Sequence, residues 1–306
     1  MQTSSYPRAK SFDEIYRNVP PELVTRLEGF RASHPYKQLS SAVANWEYIS
    51  CGQGDETILI LPGALSTGES AFPLITALEN DYHIIAPSYP LSLTMKELCA
   101  GIAQILKAEN VESAHVFGGS YGGLVAQYFV RQYPGRALSL LLSHTFAFNP
   151  KYTKAFWIAG KVFPVVPQSL IVRLLKLRLD KLLLSRLRAV NHPEAELWRA
   201  YLDEAMITGH LKEVSIHQNN CLLDLAKQPR LAANDLNEWS GRILIIESED
   251  DPAIRASERA VLKGLYPQAE VKTFLDAGHA SSILKRSEVV STLKGFLDSI
   301  GPAQPV

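Results

Sequence analysis

The sequence predicts an α/β protein with a mostly parallel central sheet, helices on both faces and a helical cap insertion. Three observations predict it. Short, wholly apolar runs alternate with amphipathic stretches along much of the chain. A Gly-x-Ser-x-Gly turn stands between one such run and the helical stretch that follows it. Residues 147–236 carry helical patterning without a clear strand.

Residues 1–19 are polar and expected to be only partly ordered. Pro20-Pro21 opens a helix to about Ala32, with Leu23, Val24, Leu27 and Phe30 on one face. Residues 36–50 supply the opening strands, and Gly52-Gln53-Gly54-Asp55 is a turn. Strand-like runs follow at Thr57–Leu61, His83–Ala86, Ala114–Phe117 and Leu138–Leu142. Between them lie helical stretches at Ser70–Leu78, Thr94–Ala108 (Thr94 as N-cap) and Tyr121–Gln132. Runs this apolar, alternating with helices, belong to a parallel sheet covered on both sides. The rhythm stops near Phe146 and resumes with a strand at Arg242–Ile246. A helix from Ala256, a strand at Val271–Leu275 and a helix at Ser282–Leu297 then follow. The domain expectation is an N-terminal extension with a helix at 1–35, a core at 36–146 and 237–300, and a cap at 147–236. The tail 301–306 is expected to be disordered.

Composition narrows the function classes. With 306 residues, 46% of them hydrophobic and 20% charged, the chain can bury a sizeable core. Lys+Arg and Asp+Glu are 31 each, so no basic excess points to nucleic acid. Cys51, Cys99 and Cys221 are scattered, as expected of free thiols in a reducing compartment. No histidine stands at metal-ligand spacing, and neither a metal nor a cofactor is expected. Met1–Lys10 lacks the apolar stretch of a secretory signal, and no eighteen-residue apolar run would span a membrane. The expectation is a cytoplasmic protein acting on a small molecule. Nothing in the sequence sets its oligomeric state.

The turn Gly118-Gly119-Ser120-Tyr121-Gly122-Gly123 carries the chemistry. A serine on a sharp strand-to-helix turn projects its oxygen from the sheet edge. Side chains two residues either side would collide, which is why glycine stands there. The helix beginning at the turn aims its amides at developing negative charge. Ser120 is therefore the candidate nucleophile.

These residues, with Leu61-Pro62-Gly63-Ala64 upstream and Asp276-Ala277-Gly278-His279 downstream, resemble the α/β-hydrolase superfamily, over about residues 45–145 and 240–298. The segment His83–Pro90 and its helix resemble maspardin-like members more loosely. The resemblance implies a triad in the order serine, acid, histidine. It places the histidine at His279, in a loop before the last helix. It places the acid after the strand at 242–247, at Asp251, with Asp250 the next choice. Ser248 stands where the superfamily usually has glycine. The oxyanion donors it implies are the backbone N–H groups of Ala64 and Tyr121, with Pro62 where His is frequent. Gly63, Leu65, His144, Phe146 and Trp157 are candidates to contact substrate.

Ser169–Leu187 is dense in leucine and interleaved with Arg173, Lys176, Arg178, Lys181 and Arg186. It reads as a cap helix whose leucines line an acyl pocket, or as a helix in weak contact with a membrane surface. The leading expectation is hydrolysis of a carboxylic ester with an apolar acyl or alcohol part. Amide, thioester and carbon–carbon bond hydrolysis use the same triad and stay open. The alternative from another class is a non-catalytic, maspardin-like binding protein.

Overall fold

The computed structural model describes residues 11–41, 43–91, 93–208 and 211–300. The expectations for residues 1–10 and for the tail 301–306 lie outside these. Eight strands form one sheet: β1 (Lys37–Ser40), β2 (Asn45–Cys51), β3 (Thr57–Leu61), β4 (His83–Ser88), β5 (Ala114–Gly119), β6 (Ala137–Ser143), β7 (Arg242–Ser248) and β8 (Glu270–Phe274). Their order is β1-β2-β4-β3-β5-β6-β7-β8. β1 and β2 pair antiparallel, as do β2 and β4, and every other neighbouring pair is parallel.

β3 shows why apolar runs of this kind form central strands. All five of its residues are buried. Ile58 and Ile60 enter the core with Leu27, Phe72 and Phe296, while Leu59 and Leu61 enter the core on the other face with Ile102 and Phe129. Side chains alternate across the pleat, so a strand covered twice must be apolar at every position. The edges differ: β1 is short and polar, and β8 exposes Glu270 and Lys272, which discourages further pairing.

Several boundaries depart from the sequence reading. A 3₁₀ turn at Gly68–Ala71 precedes the helix Phe72–Leu78. The expected last helix is two, Ser281–Leu284 and Arg286–Asp298. Within the polar N-terminal stretch, Ser11 and Glu14 form a capping box on a short helix, Phe12–Tyr16. Thr94 caps Met95–Ala108 with Glu97 completing the box.

Between β6 and β7 the chain forms the helices Thr153–Val162, Gln168–Leu179, Ser185–Ala189, Ala195–Thr208 and Leu211–Leu225. A π-helical turn, Asp180–Leu184, interrupts the leucine-rich stretch. Ion pairs anchor this segment to the rest. Glu194 accepts from Arg26 of helix Pro21–Ser33 and from Arg286 of the last helix. Burial would raise the Glu194 carboxyl, but the two guanidiniums outweigh it and hold it down to about 2.

Candidate active site

The parallel strands deliver the candidate residues to one edge. Gly63 and Ala64 follow β3, Ser120 follows β5, His144 follows β6, Asp250 and Asp251 follow β7, and His279 follows β8. The carboxyl ends of parallel strands are where open α/β sheets place their ligands.

Ser120 sits at φ +51°, a left-handed conformation that is strained for a serine and is held by its surroundings. Its N–H donates to Ser143 O at 2.9 Å, and Thr145 Oγ1 donates to its carbonyl at 2.6 Å. The flanking glycines are steric requirements. A Cβ on Gly118 would lie 2.3 Å from Gly122 O, and one on Gly122 would lie 2.0 Å from Leu61 O. Gly119 has open space instead, so its glycine is not needed for clearance.

Asp251 is buried and accepts from His279 Nδ1, with its two oxygens at 2.9 and 3.1 Å. Its Oδ1 also accepts from the N–H groups of Ala253 and Ile254. Burial would raise this carboxyl, but His279 and the amides hold it below the usual range, so it stays ionised. An ionised carboxylate can only accept, so Nδ1 carries the proton and Nε2 of His279 is left basic.

The neighbouring acid does something else. Asp250 accepts from Nε and Nη2 of Arg186 at 2.8 and 2.6 Å, and from the N–H groups of Ala277 and Gly278. Arg186 also reaches Asp276 at 3.0 Å. Asp250 thus ties the β7 and β8 loops together, with an arginine from the inserted helices clamped over both.

His144 is buried at φ +48°, with its ring edge-on to that of His279 at 5.9 Å between centroids. It is hydrogen-bonded to Ser143 Oγ at 3.0 Å and to Ser248 Oγ at 2.7 Å. The serine at 248 therefore has a partner that glycine could not supply. Burial, and then the nearby His279, push His144 down to about 3, so it is neutral.

A cavity of about 200 Å³ opens at this edge. Gly63, Ala64, Leu65, Ser120, His144 and His279 line it, with Leu179, Leu182 and Leu183 from the inserted helices. Ser120 Oγ has no hydrogen bond among the described residues and faces this space free. Phe146 and Trp157 do not line it: Phe146 packs against the core and Trp157 is 57% exposed. Leu179, Leu182 and Leu183 point inward while Leu174 and Leu177 are exposed, because the helix has one inner face. Sequence reasoning missed Gln218, whose Nε2 donates to Ala64 O at 3.1 Å and to Ser66 Oγ at 2.9 Å. Nothing in the sequence marks it, since its partners lie about 150 positions away.

One group of metal-ligating type occurs among the described residues, His34, Cys51 and Glu79, with ligand atoms within 4.8 Å of one another. It lies at the opposite end of the sheet, where Cys51 pairs with Ile84 at the start of β4. His34 Nε2 and Glu79 Oε2 are already closed on each other at 2.5 Å. The three cysteines are free.

Comparison with known proteins bears on the family and the fold. The model of the alpha/beta hydrolase fold family matches residues 56–285. Maspardin from Danio rerio is 33% identical over 109 residues, which is 33% of this chain and 35% of that protein. The chain thus matches about a third of the length of the maspardins. The dihydrolipoyllysine-residue acetyltransferase component of an acetoin cleaving system from Cupriavidus necator is 26% identical over 82% of this chain and 66% of its own. Among solved structures, a thermophilic esterase from Thermogutta terrifontis superposes with a TM-score of 0.70 at 18% identity, covering 87% of this chain and 99% of that one. A hydrolase from Pseudomonas aeruginosa gives 0.69 at 19% identity, covering 86% and 98%. These two likenesses speak for the fold. The chain belongs to the α/β-hydrolase fold family.

Proposed function

We propose that this chain is a serine hydrolase that cleaves a carboxylic ester with an apolar acyl or alcohol part. The observation that carries the proposal is the joint placement of Ser120 and His279 on one largely apolar cavity, with buried Asp251 holding His279 Nδ1. His279 Nε2 takes the Ser120 proton as Oγ attacks the ester carbonyl. The imidazolium that forms is stabilised by Asp251. The negative charge on the former carbonyl oxygen is met by the N–H groups of Ala64 and Tyr121, neither of which has an acceptor among the described residues. His279 then protonates the leaving alcohol. Water, deprotonated by the same nitrogen, releases the acid from Ser120.

Residues 147–236 act in this reading as a cap over the strand ends, with residues 1–35 as an N-terminal extension and 36–146 with 237–300 as the core. Leu179, Leu182 and Leu183 supply the cap's apolar lining. Free cysteines favour a reducing, cytoplasmic setting. Among the described residues no helix is long and apolar enough to cross a membrane. The maspardin likeness keeps a non-catalytic binding role as the second reading. A binding module has no need of a buried carboxylate oriented on a histidine beside an unpartnered serine.

The test is kcat/KM across p-nitrophenyl esters from C2 to C12. Burying each methylene is worth about 0.8 kcal/mol, so the rate should rise about fourfold per carbon until the cavity is full. Ser120→Ala should lower kcat by on the order of 10⁴–10⁶. Leu182→Trp should move the optimum to shorter chains. A variant at Ser120 that keeps a tenth of the activity removes it as nucleophile, and an optimum unmoved by Leu182→Trp removes the cap from the pocket.

A further inference from the structure

Exposed large apolar side chains concentrate on two of the inserted helices. Trp157, Ile158 and Val162 are exposed on helix Thr153–Val162, and Leu170, Leu174 and Leu177 on helix Gln168–Leu179. At 3.6 residues per turn, Leu170, Leu174 and Leu177 fall on one stripe of the second helix. Arg173 and Arg178, both exposed, fall on either side of that stripe. The inner face of the same helix carries Ile171 and Leu179, which are buried. Lys212 Nζ donates to the carbonyls of Pro164 and Val166, fixing the loop that joins the two helices.

Charge is just as uneven. Residues 151–190 hold nine Lys and Arg against one acid, Asp180, in a chain whose total is balanced. Only Lys176 and Arg186 of the nine are in ion pairs among the described residues. A second copy of this face would meet it with the same strong positive charge, so self-association is disfavoured. An apolar stripe rimmed by unpaired cations suits a surface that is apolar below and anionic above.

We propose that this face docks on the surface of an anionic lipid bilayer. Trp157, Leu170, Leu174 and Leu177 enter the headgroup and upper acyl region, and the flanking Lys and Arg meet lipid phosphates and carboxylates. The helix that docks also carries Leu179 to the wall of the catalytic cavity, and the π-helical turn after it carries Leu182 and Leu183. The docked molecule therefore holds its cavity close to the membrane. If the hydrolytic reading holds, that brings membrane-dissolved acyl esters within reach.

Docking can be read without turnover. Flotation with extruded phosphatidylcholine vesicles containing about a third phosphatidylserine is compared with pure phosphatidylcholine, at 0.1 and 0.5 M NaCl. Wild type and Ser120→Ala should both float with the anionic vesicles, at least tenfold more than with the neutral ones. High salt should weaken the binding. Leu174→Glu with Leu177→Glu should abolish it, and Arg173→Gln with Arg178→Gln should reduce it severalfold. All are surface substitutions, and unchanged melting temperatures would show the fold intact. The proposal is overturned by wild type that stays with the soluble fraction. It is equally overturned by flotation that the two leucine substitutions leave unchanged, or by a dimer that they dissolve in the absence of vesicle binding. Failure of wild type to hydrolyse esters, with flotation intact, leaves docking standing and overturns the reaction alone.

Discussion

The loops at the strand ends and the helices inserted between β6 and β7 are built on opposite terms. In the loops almost every backbone choice is forced. Ser120, His144 and Asp276 are held at positive φ, glycines stand where a Cβ would strike backbone, and amides of two loops converge on Asp250 and Asp251. In the inserted helices, leucine and tryptophan face water, a π-helical turn breaks the longest leucine-rich stretch, and few positions are sterically determined. The difference teaches where tolerance lies. In the proposed reaction, chemistry that depends on sub-ångström placement falls to the overdetermined part, and selection among substrates and surfaces falls to the part that can change.

The sharpest break of this comparison is between adjacent acids. Asp251→Asn should lower kcat by on the order of 10⁴, because the amide favours the wrong tautomer of His279. Asp250→Asn should cost far less, since its oxygens hold loops rather than the histidine. Steady-state kinetics of the two variants decide it, and equal losses would mean that the acid has been misassigned. Next in size is Gly122→Ala, whose Cβ would lie 2.0 Å from Leu61 O. It should cost about 2–4 kcal/mol in urea unfolding, whereas Leu174→Ser on the exposed helix face should stay within about 0.5 kcal/mol. A neutral Gly122→Ala would show that the turn is less constrained than its contacts imply.

A further effect is graded by pH. His144 and His115 are buried and pushed down to about 3 and about 4, His144 by burial and by His279, His115 by burial. In the unfolded chain each takes up a proton near pH 6.5. Between those values the unfolded state binds more protons, so stability is full above about pH 6.5 and falls as pH falls. The slope is about 1.4 kcal/mol per pH unit for each histidine while it is neutral folded and charged unfolded. Urea midpoints at pH 7.5 and 5.0 measure it, and His144→Asn should lessen the drop. A drop unchanged by the substitution would assign the pH effect to other groups.

Much of this was legible in the sequence, for physical reasons that can be named. A doubly covered strand must be apolar throughout, so β3 and β5 announced themselves. The turn at Ser120 was legible because sterics force glycine at 118 and 122. His144 lines the cavity, but its closure between Ser143 and Ser248 joins strands that only the fold brings together. Arg186 and Gln218 were illegible as site residues for the same reason. Phe146 and Trp157 looked like pocket residues because an aromatic stretch follows β6, yet sequence cannot tell an inward ring from an outward one without the helix phase. The two faces of the leucine-rich helix were confounded likewise, since every third or fourth position is leucine on both sides.

The most direct test of the central claim is covalent. A fluorophosphonate added to the native protein, followed by digestion and mass spectrometry, should place one adduct on Ser120. Labelling should be lost when His279 is replaced by alanine, because the hydroxyl is then left without its base. No adduct on Ser120 in folded protein, or an adduct that forms as fast without His279, would contradict the account.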